Sequence, residues 1–297
     1  MTRRALVTGA TGFIGQHLLP RLAEGFDEVH AIARALPATD ESAGVHWHPH
    51  DLMQDDPAGL MQQAKPTHLI HLAWITTPGE YWTSPSNTEW LERSKALFDA
   101  FLAAGGQRVV GLGTCAEYDW SAGVCEEHTT PIAPASIYGQ SKVELHAYLT
   151  SLPITSAWAR VFWPYGPGEP EAKLTSYVAR RLLAGEPAQC SAGTQQRDFI
   201  YVGDAAEALS QLLASDVTGP VNIGTGQAVA VREIAETIGQ IVGRPELLQF
   251  AAQTTGSDDF PRVVADAKRL QEEVGFTPRF DLRAGLSKAI DEWRSSD

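Results

Sequence analysis

Short apolar runs that end at a glycine or a polar turn, each followed by apolar residues at helical spacing, recur along the first half of the chain. Ala5-Leu6-Val7 stops at Thr8-Gly9, and Phe13-Ile14, Leu18-Leu19 and Leu22 continue along one helix face, so the pattern predicts a buried strand turning directly into a helix. Residues 28–33 and 45–52 predict two further strands, 57–64 a short helix and 67–73 a buried strand. Trp90, Leu91, Leu97, Phe98 and Phe101 predict a long helix over 87–104, followed by a strand at 108–112 and a helix over 136–152. Such alternation implies an α/β chain with a doubly wound parallel sheet, helices on both faces and ligands at the carboxyl ends of the strands.

The first turn carries three glycines with separable tasks. Gly9 allows a tight turn, Gly12 a close approach of backbone to ligand, and Gly15 close packing of helix on strand. Free amides and the positive end of the helix dipole suit a pyrophosphate there without any basic side chain. Arg34 stands where the second strand ends. A carboxylate at that place selects NAD, whereas an arginine accommodates a 2′-phosphate, so NADP is expected, with NAD as the alternative. The nearest acids, Asp40 and Glu41, follow beyond Pro37.

Composition narrows the rest. The 297 residues, 43% of them hydrophobic, suffice for a large core, and the net charge of −13 disfavours nucleic acid and anionic lipid as partners. With no 18-residue apolar run and a strand starting just after Met1-Thr2-Arg3-Arg4, neither a signal peptide nor a membrane anchor is expected, and the cytoplasm is. Cys115, Cys125 and Cys190 are odd in number and far apart, which fits reduced thiols. His46 and His48 share a strand face and could hold zinc, but no acidic or sulfur partner is signalled nearby, and no metal is expected.

At a predicted strand end lies Gly113-Thr114-Cys115-Ala116-Glu117-Tyr118, and later Tyr138 and Lys142 stand four apart on one helical face. A phenol with an ammonium beside it can exchange a proton near neutral pH, and Thr114 can hydrogen-bond the substrate oxygen. Trp74, Trp82 and Trp163 could line a pocket and stack on a base or sugar.

Together, the Thr8–Gly15 turn, Asp51-Leu52, His71-Leu72-Ala73, Thr114 four before Tyr118, Tyr138-x-x-x-Lys142 and Arg197-Asp198-Phe199-Ile200-Tyr201-Val202 resemble the extended short-chain dehydrogenase/reductases that act on nucleotide-sugars. Asn222-Ile223-Gly224-Thr225-Gly226 and Gly275-Phe276-Thr277-Pro278 extend the resemblance to the tail. It implies a Rossmann cofactor domain over 1–165, to which later segments return, and a smaller mixed α/β substrate-binding lobe mainly over 166–297. Gly9, Thr11, Gly12, Phe13, Ile14, Gly15, Arg34, Asp51, Leu52, Leu72, Ala73, Trp74 and Val161 are then the cofactor contacts, joined by Tyr138 and Lys142. Thr114, Tyr138 and Lys142 are the implied catalytic set, and Thr114, Trp163 and Arg197 the implied substrate contacts.

Departures guide the reaction. Dehydratases of this kind carry Asp-Glu after the threonine, where this chain has Cys115-Ala116. Trp163 replaces an asparagine common in relatives, and the place of a second diphosphate arginine falls on Gly256. The resulting expectation is NADPH-dependent reduction of a keto group on a nucleotide-linked deoxysugar. The rivals are an epimerase that retains NAD and a non-catalytic cofactor sensor. A homodimer is also expected, through apolar outer stripes on the helices at 87–104 and 136–152.

Overall fold

The fold is taken from a computed structural model, which describes residues 2–37, 44–252 and 260–296. Asp40, Glu41 and Gly256 lie outside the described residues. Strand β1 (Arg4–Thr8) is buried from Ala5 onward and passes through the glycine turn into α1 (Gly15–Gly25), which buries Leu18, Leu19 and Leu22. Strands β2 (Glu28–Ala33) and β3 (Val45–Pro49) follow, then α2 (Pro57–Ala64), β4 (His68–His71), α3 (Ser86–Ala103) and β5 (Arg108–Thr114). Next come the two-residue β6 (Val124–Cys125), α4 (Ile137–Ser151) and β7 (Thr155–Val161).

The predicted strand at 45–52 is cut short at Pro49, which has no N–H for the ladder. The chain turns at once on Asp51, whose Oδ1 accepts from Met53 N at 3.0 Å. Helix α2 begins at Pro57, with Asp56 accepting from Ala58 N, and stops at Lys65 in the left-handed conformation.

The second half supplies β8 (Trp163–Tyr165), α5 (Leu174–Leu183), β9 (Ala188–Cys190), β10 (Gln196–Arg197), β11 (Phe199–Tyr201) and α6 (Val202–Ala214). After these come β12 (Gly219–Ile223), β13 (Val229–Ala230), α7 (Val231–Val242), β14 (Leu248–Phe250), β15 (Arg262–Ala265), α8 (Lys268–Glu272) and α9 (Leu282–Ser296). The seven-stranded sheet runs β12-β7-β5-β4-β1-β2-β3 with every pairing parallel, so a strand from residues 219–223 closes the sheet built by the N-terminal half. Helix α6 packs beside α1, burying Ala205, Leu209, Leu212 and Leu213 in the core that holds Val7, Leu18 and Leu22. A four-stranded sheet, β13-β10-β15-β6, and two small pairs, β11 with β8 and β14 with β9, make up the rest.

The outer faces of α3 and α4 are mixed, with exposed Ala96, Ile137 and Ala147 interrupted by charged residues rather than forming the continuous apolar stripes expected. Their outward positions hold Glu89, Glu92, Asp99 and Glu144, and Lys95 bridges Glu92 and Glu144, at 2.8 Å to each, while Tyr148 donates to Asp99. The inward positions of both helices carry Leu91, Leu97, Phe98, Phe101, Leu145 and Leu149, which form one cluster. His46 and His48 line up with His30 of β2, whose ring stacks on both at 5.1 and 5.2 Å, so the histidine run is a packed patch on the sheet edge. No described helix is long and apolar enough to cross a membrane.

Candidate active site

The turn after β1 leaves no room for side chains on its glycines. Gly9 has φ +68°, and a Cβ on it would lie 2.8 Å from Ala73 N, at the end of β4. On Gly15 a Cβ would fall 2.2 Å from Gly9 O. Thr11 and Gly12 are exposed at the surface of the turn, and Phe13 and Ile14 are half-buried behind them. This tight, side-chain-free backbone at a helix head is the cradle a dinucleotide pyrophosphate requires.

A buried chain of hydrogen bonds holds the turn against β4. Thr8 Oγ1 accepts from Leu72 N and Ala73 N, both at 3.1 Å, and therefore gives its own proton to His71 Nδ1 at 2.7 Å. His71 then carries its proton on Nε2 and donates to Ser94 Oγ at 2.8 Å, and Ser94 donates to Trp90 O. Burial pushes the His71 imidazole down to about 3, so it stays neutral and each bond in the chain has one direction.

Thr114, Tyr138 and Lys142 converge at the carboxyl end of β5. Thr114 is paired across the sheet with Val161 of β7, which puts Val161 at the same strand end. Ser136 caps α4 by accepting from Gly139 N at 3.1 Å, presenting Tyr138 and Lys142 in the first turns. A hydrogen bond from the Thr114 side chain favours the Tyr138 phenolate, but burial outweighs it and raises the phenol above its ordinary range, so Tyr138 is protonated at neutral pH. Lys142 is 2% exposed, with Nζ donating to Leu112 O at 2.8 Å and lying 3.9 Å above the Trp74 ring. Burial brings its ammonium down to about 7, against a pull upward from Glu117. The ammonium is thus anchored to β5 and Trp74.

Glu117 underpins this corner. It is fully buried; Oε1 accepts from Thr114 N and Trp158 Nε1, each at 2.9 Å, and Oε2 accepts from Arg160 Nε at 2.7 Å. Arg160 also donates to Tyr118 Oη, which donates to Asn222. With its oxygens engaged in this way, Glu117 holds Thr114 in place. Only distant β7 supplies Arg160 and Trp158, so local spacing carried no signal for this pairing.

Trp74 belongs to the core cluster under Lys142 and donates to Asn87 Oδ1 at 2.7 Å. Asn87, itself buried, donates to Tyr81 O and Ser84 O and ties down the loop that sets the Tyr81 and Trp82 rings 5.0 and 5.7 Å from Tyr138. Trp163 tilts against Trp120 at 5.8 Å, and Arg197 lies over both rings while Nη1 donates to Gln196 O and Phe260 O. The Asp198 carboxylate, beside it, is engaged by the backbone, accepting from Thr225 N, Gly226 N and Ala265 N, which accounts for Thr225 and Gly226 of the Asn222–Gly226 motif. Tyr81, Trp120 and Phe260 are site residues that the sequence reading missed. Arg34 is exposed just past the end of β2, Asp51 and Leu52 follow β3, and Leu72 and Ala73 follow β4, all at the carboxyl edge of the sheet.

A family model for the NAD dependent epimerase/dehydratase family matches residues 5–224, from β1 through the turn after β12. The chain belongs to that family. This epimerase/dehydratase-family chain is 26% identical over 314 residues to UDP-glucuronic acid decarboxylase 1 of Xenopus tropicalis, covering 98% of this chain and 72% of the relative. Among solved structures, MoeE5 in complex with UDP-glucuronic acid and NAD is 30% identical with a TM-score of 0.84, covering 99% of this chain and 100% of MoeE5. UDP-glucose 4-epimerase of Thermus thermophilus in complex with NAD is 27% identical with a TM-score of 0.85, at the same coverage. Two of these relatives are named for decarboxylation and epimerisation, and both solved complexes contain NAD.

Proposed function

We propose that this family member epimerises a carbon of a nucleotide-linked sugar with NAD retained on the glycine turn. The observation that carries the reading is the meeting of Thr114, Tyr138 and Lys142 at one strand end beside that turn. When bound, a nicotinamide dinucleotide in its oxidised form would take a hydride from the reacting carbon and return it to the same carbon. Tyr138 moves the proton at the oxygen of the reacting carbon, Thr114 hydrogen-bonds that oxygen, and Lys142 orients the cofactor from the Trp74 side. The NAD in the two related complexes supports retained NAD over the NADPH expected from Arg34.

Reduction with consumable NADPH is the second reading, favoured by exposed Arg34 at the end of β2 and by the protonated Tyr138. A cofactor sensor without chemistry has no need of the complete Thr/Tyr/Lys set. Residues 1–165 are assigned to the cofactor and 166–297 mainly to the sugar nucleotide, with α6 and β12 returning to the first part. A homodimer through α3 and α4 would join exposed Ile137 and Ala147 as well as the charged outer positions. To test the function, cofactor released from the purified protein is identified and a panel of nucleotide-sugars is supplied. Stoichiometric NAD with sugar interconversion and no net cofactor consumption is expected; steady consumption of added NADPH would favour reduction.

A further inference from the structure

A cavity of about 720 Å³ opens between the loop carrying Trp82, the turns after β5, the segment leading into α4 and the residues before β15. Its walls include Trp82, Ala116, Trp120, Ala133 and Phe260, and its one charged lining residue among the described residues is Asp119. Trp120 is fixed by donating Nε1 to Cys115 O at 2.7 Å, and both Trp82 and Phe260 meet its ring edge to face, at 6.4 and 6.1 Å. Trp82 also accepts from Tyr138 N through its backbone oxygen, so the aromatic walls adjoin the residue that marks the reacting carbon. Asp119 accepts from Ser121 N, and its bonds to Ser121 keep the carboxyl below the ordinary range and charged. Arg197 lies beyond Trp120, its Nη1 given to backbone carbonyls.

We infer that this aromatic recess receives the substituent next to the reacting carbon and selects a sugar that is deoxygenated there, a hydrogen or methyl in place of a hydroxymethyl, while rejecting a uronic acid. The inference rests on the nucleotide-sugar reading and sets this chain apart from MoeE5, whose complex contains UDP-glucuronic acid. Aromatic faces suit C–H groups. A carboxylate entering the recess would lose water, find no basic residue among the described lining residues and meet the like charge of Asp119. An apolar pocket discriminates against an added hydroxyl by roughly 10²-fold at most, whereas an unpaired charge costs more.

The test is direct binding to the NAD-loaded protein of a hexose, its 6-deoxy analogue and its uronic acid, each as the UDP and the dTDP conjugate. The 6-deoxy sugar is expected to bind about tenfold or more tighter than the hexose, and the uronic acid at least ~100-fold more weakly than the 6-deoxy sugar. Trp120→Ala should narrow the gap between the first two. Asp119→Asn, which keeps the acceptor for Ser121, should raise the affinity for the uronic acid severalfold relative to that for the 6-deoxy sugar. Uronic acid affinity equal to that of the 6-deoxy sugar overturns the inference while the nucleotide-sugar reading stands. Binding of none of the conjugates overturns that reading, and the inference with it.

Discussion

Glu117 Oε2 and Arg160 Nε meet at 2.7 Å with 0% and 3% of their side chains exposed, directly behind the strand end that carries Thr114. Removing one partner strands the other charge away from water. Arg160→Met should therefore cost about 3–5 kcal/mol of stability, seen as a lower denaturant midpoint, and Glu117→Leu combined with it should restore part of the loss. Additive losses in the double variant would show that the pair is not coupled.

Burial lowers the Lys142 ammonium from its ordinary 10.5 to about 7. The unfolded chain binds this proton more readily, so the residue destabilises the fold fully below about pH 7, and the penalty fades as pH rises toward 10.5. Lys142→Met should raise the Tm by several degrees at pH 7 and by less at pH 9, while abolishing activity. An equal or larger gain at pH 9 would contradict the burial argument.

Gly15 allows α1 to start against the preceding turn. A methyl there would meet the carbonyl oxygens of Gly9 and Ala10 at 2.2 and 2.7 Å, both backbone atoms that cannot swing aside. Gly15→Ala should cost about 1–3 kcal/mol in thermal or denaturant unfolding and weaken cofactor binding with it. A variant with unaltered stability and affinity would mean that the turn relaxes freely.

Arg34 projects from the end of β2, where the adenosine ribose of a dinucleotide lies in this fold. Replacing it with Asp should shift the ratio of NAD to NADP affinity toward NAD by about tenfold or more, since a 2′-phosphate loses a charge-assisted bond and meets a like charge. Titration of both cofactors into both proteins measures the ratio; an unchanged ratio would make Arg34 a surface residue only.

The elements legible in the sequence are those whose pattern is local. Buried runs such as Leu69-Ile70 and the inward stripe of α3 announce themselves, because a parallel sheet buries both faces and a helix repeats on its own axis. Tyr138 and Lys142 were legible because one helix presents both. The Glu117–Arg160 pair and the meeting of Trp82, Trp120 and Phe260 join segments far apart in the chain, and nothing in local spacing encodes them. The anchors of the Lys142 ammonium, Leu112 O and Trp74, come from other elements and leave no local signal either. On the outer face of α3 and α4, Lys95 pairs with Glu92 on its own helix and with Glu144 across to α4, charges that interrupt the apolar stripe.

The central claim is that Tyr138 moves the proton at the reacting oxygen, and Tyr138→Phe tests it most directly, because only the hydroxyl is lost from a ring packed edge-on against Tyr81 and Trp82. With the nucleotide-sugar that the panel identifies, kcat is measured beside the affinity for NAD. The account predicts a fall in kcat of about 10²–10⁴-fold with cofactor affinity close to wild type. A variant that keeps a tenth or more of wild-type kcat would contradict it.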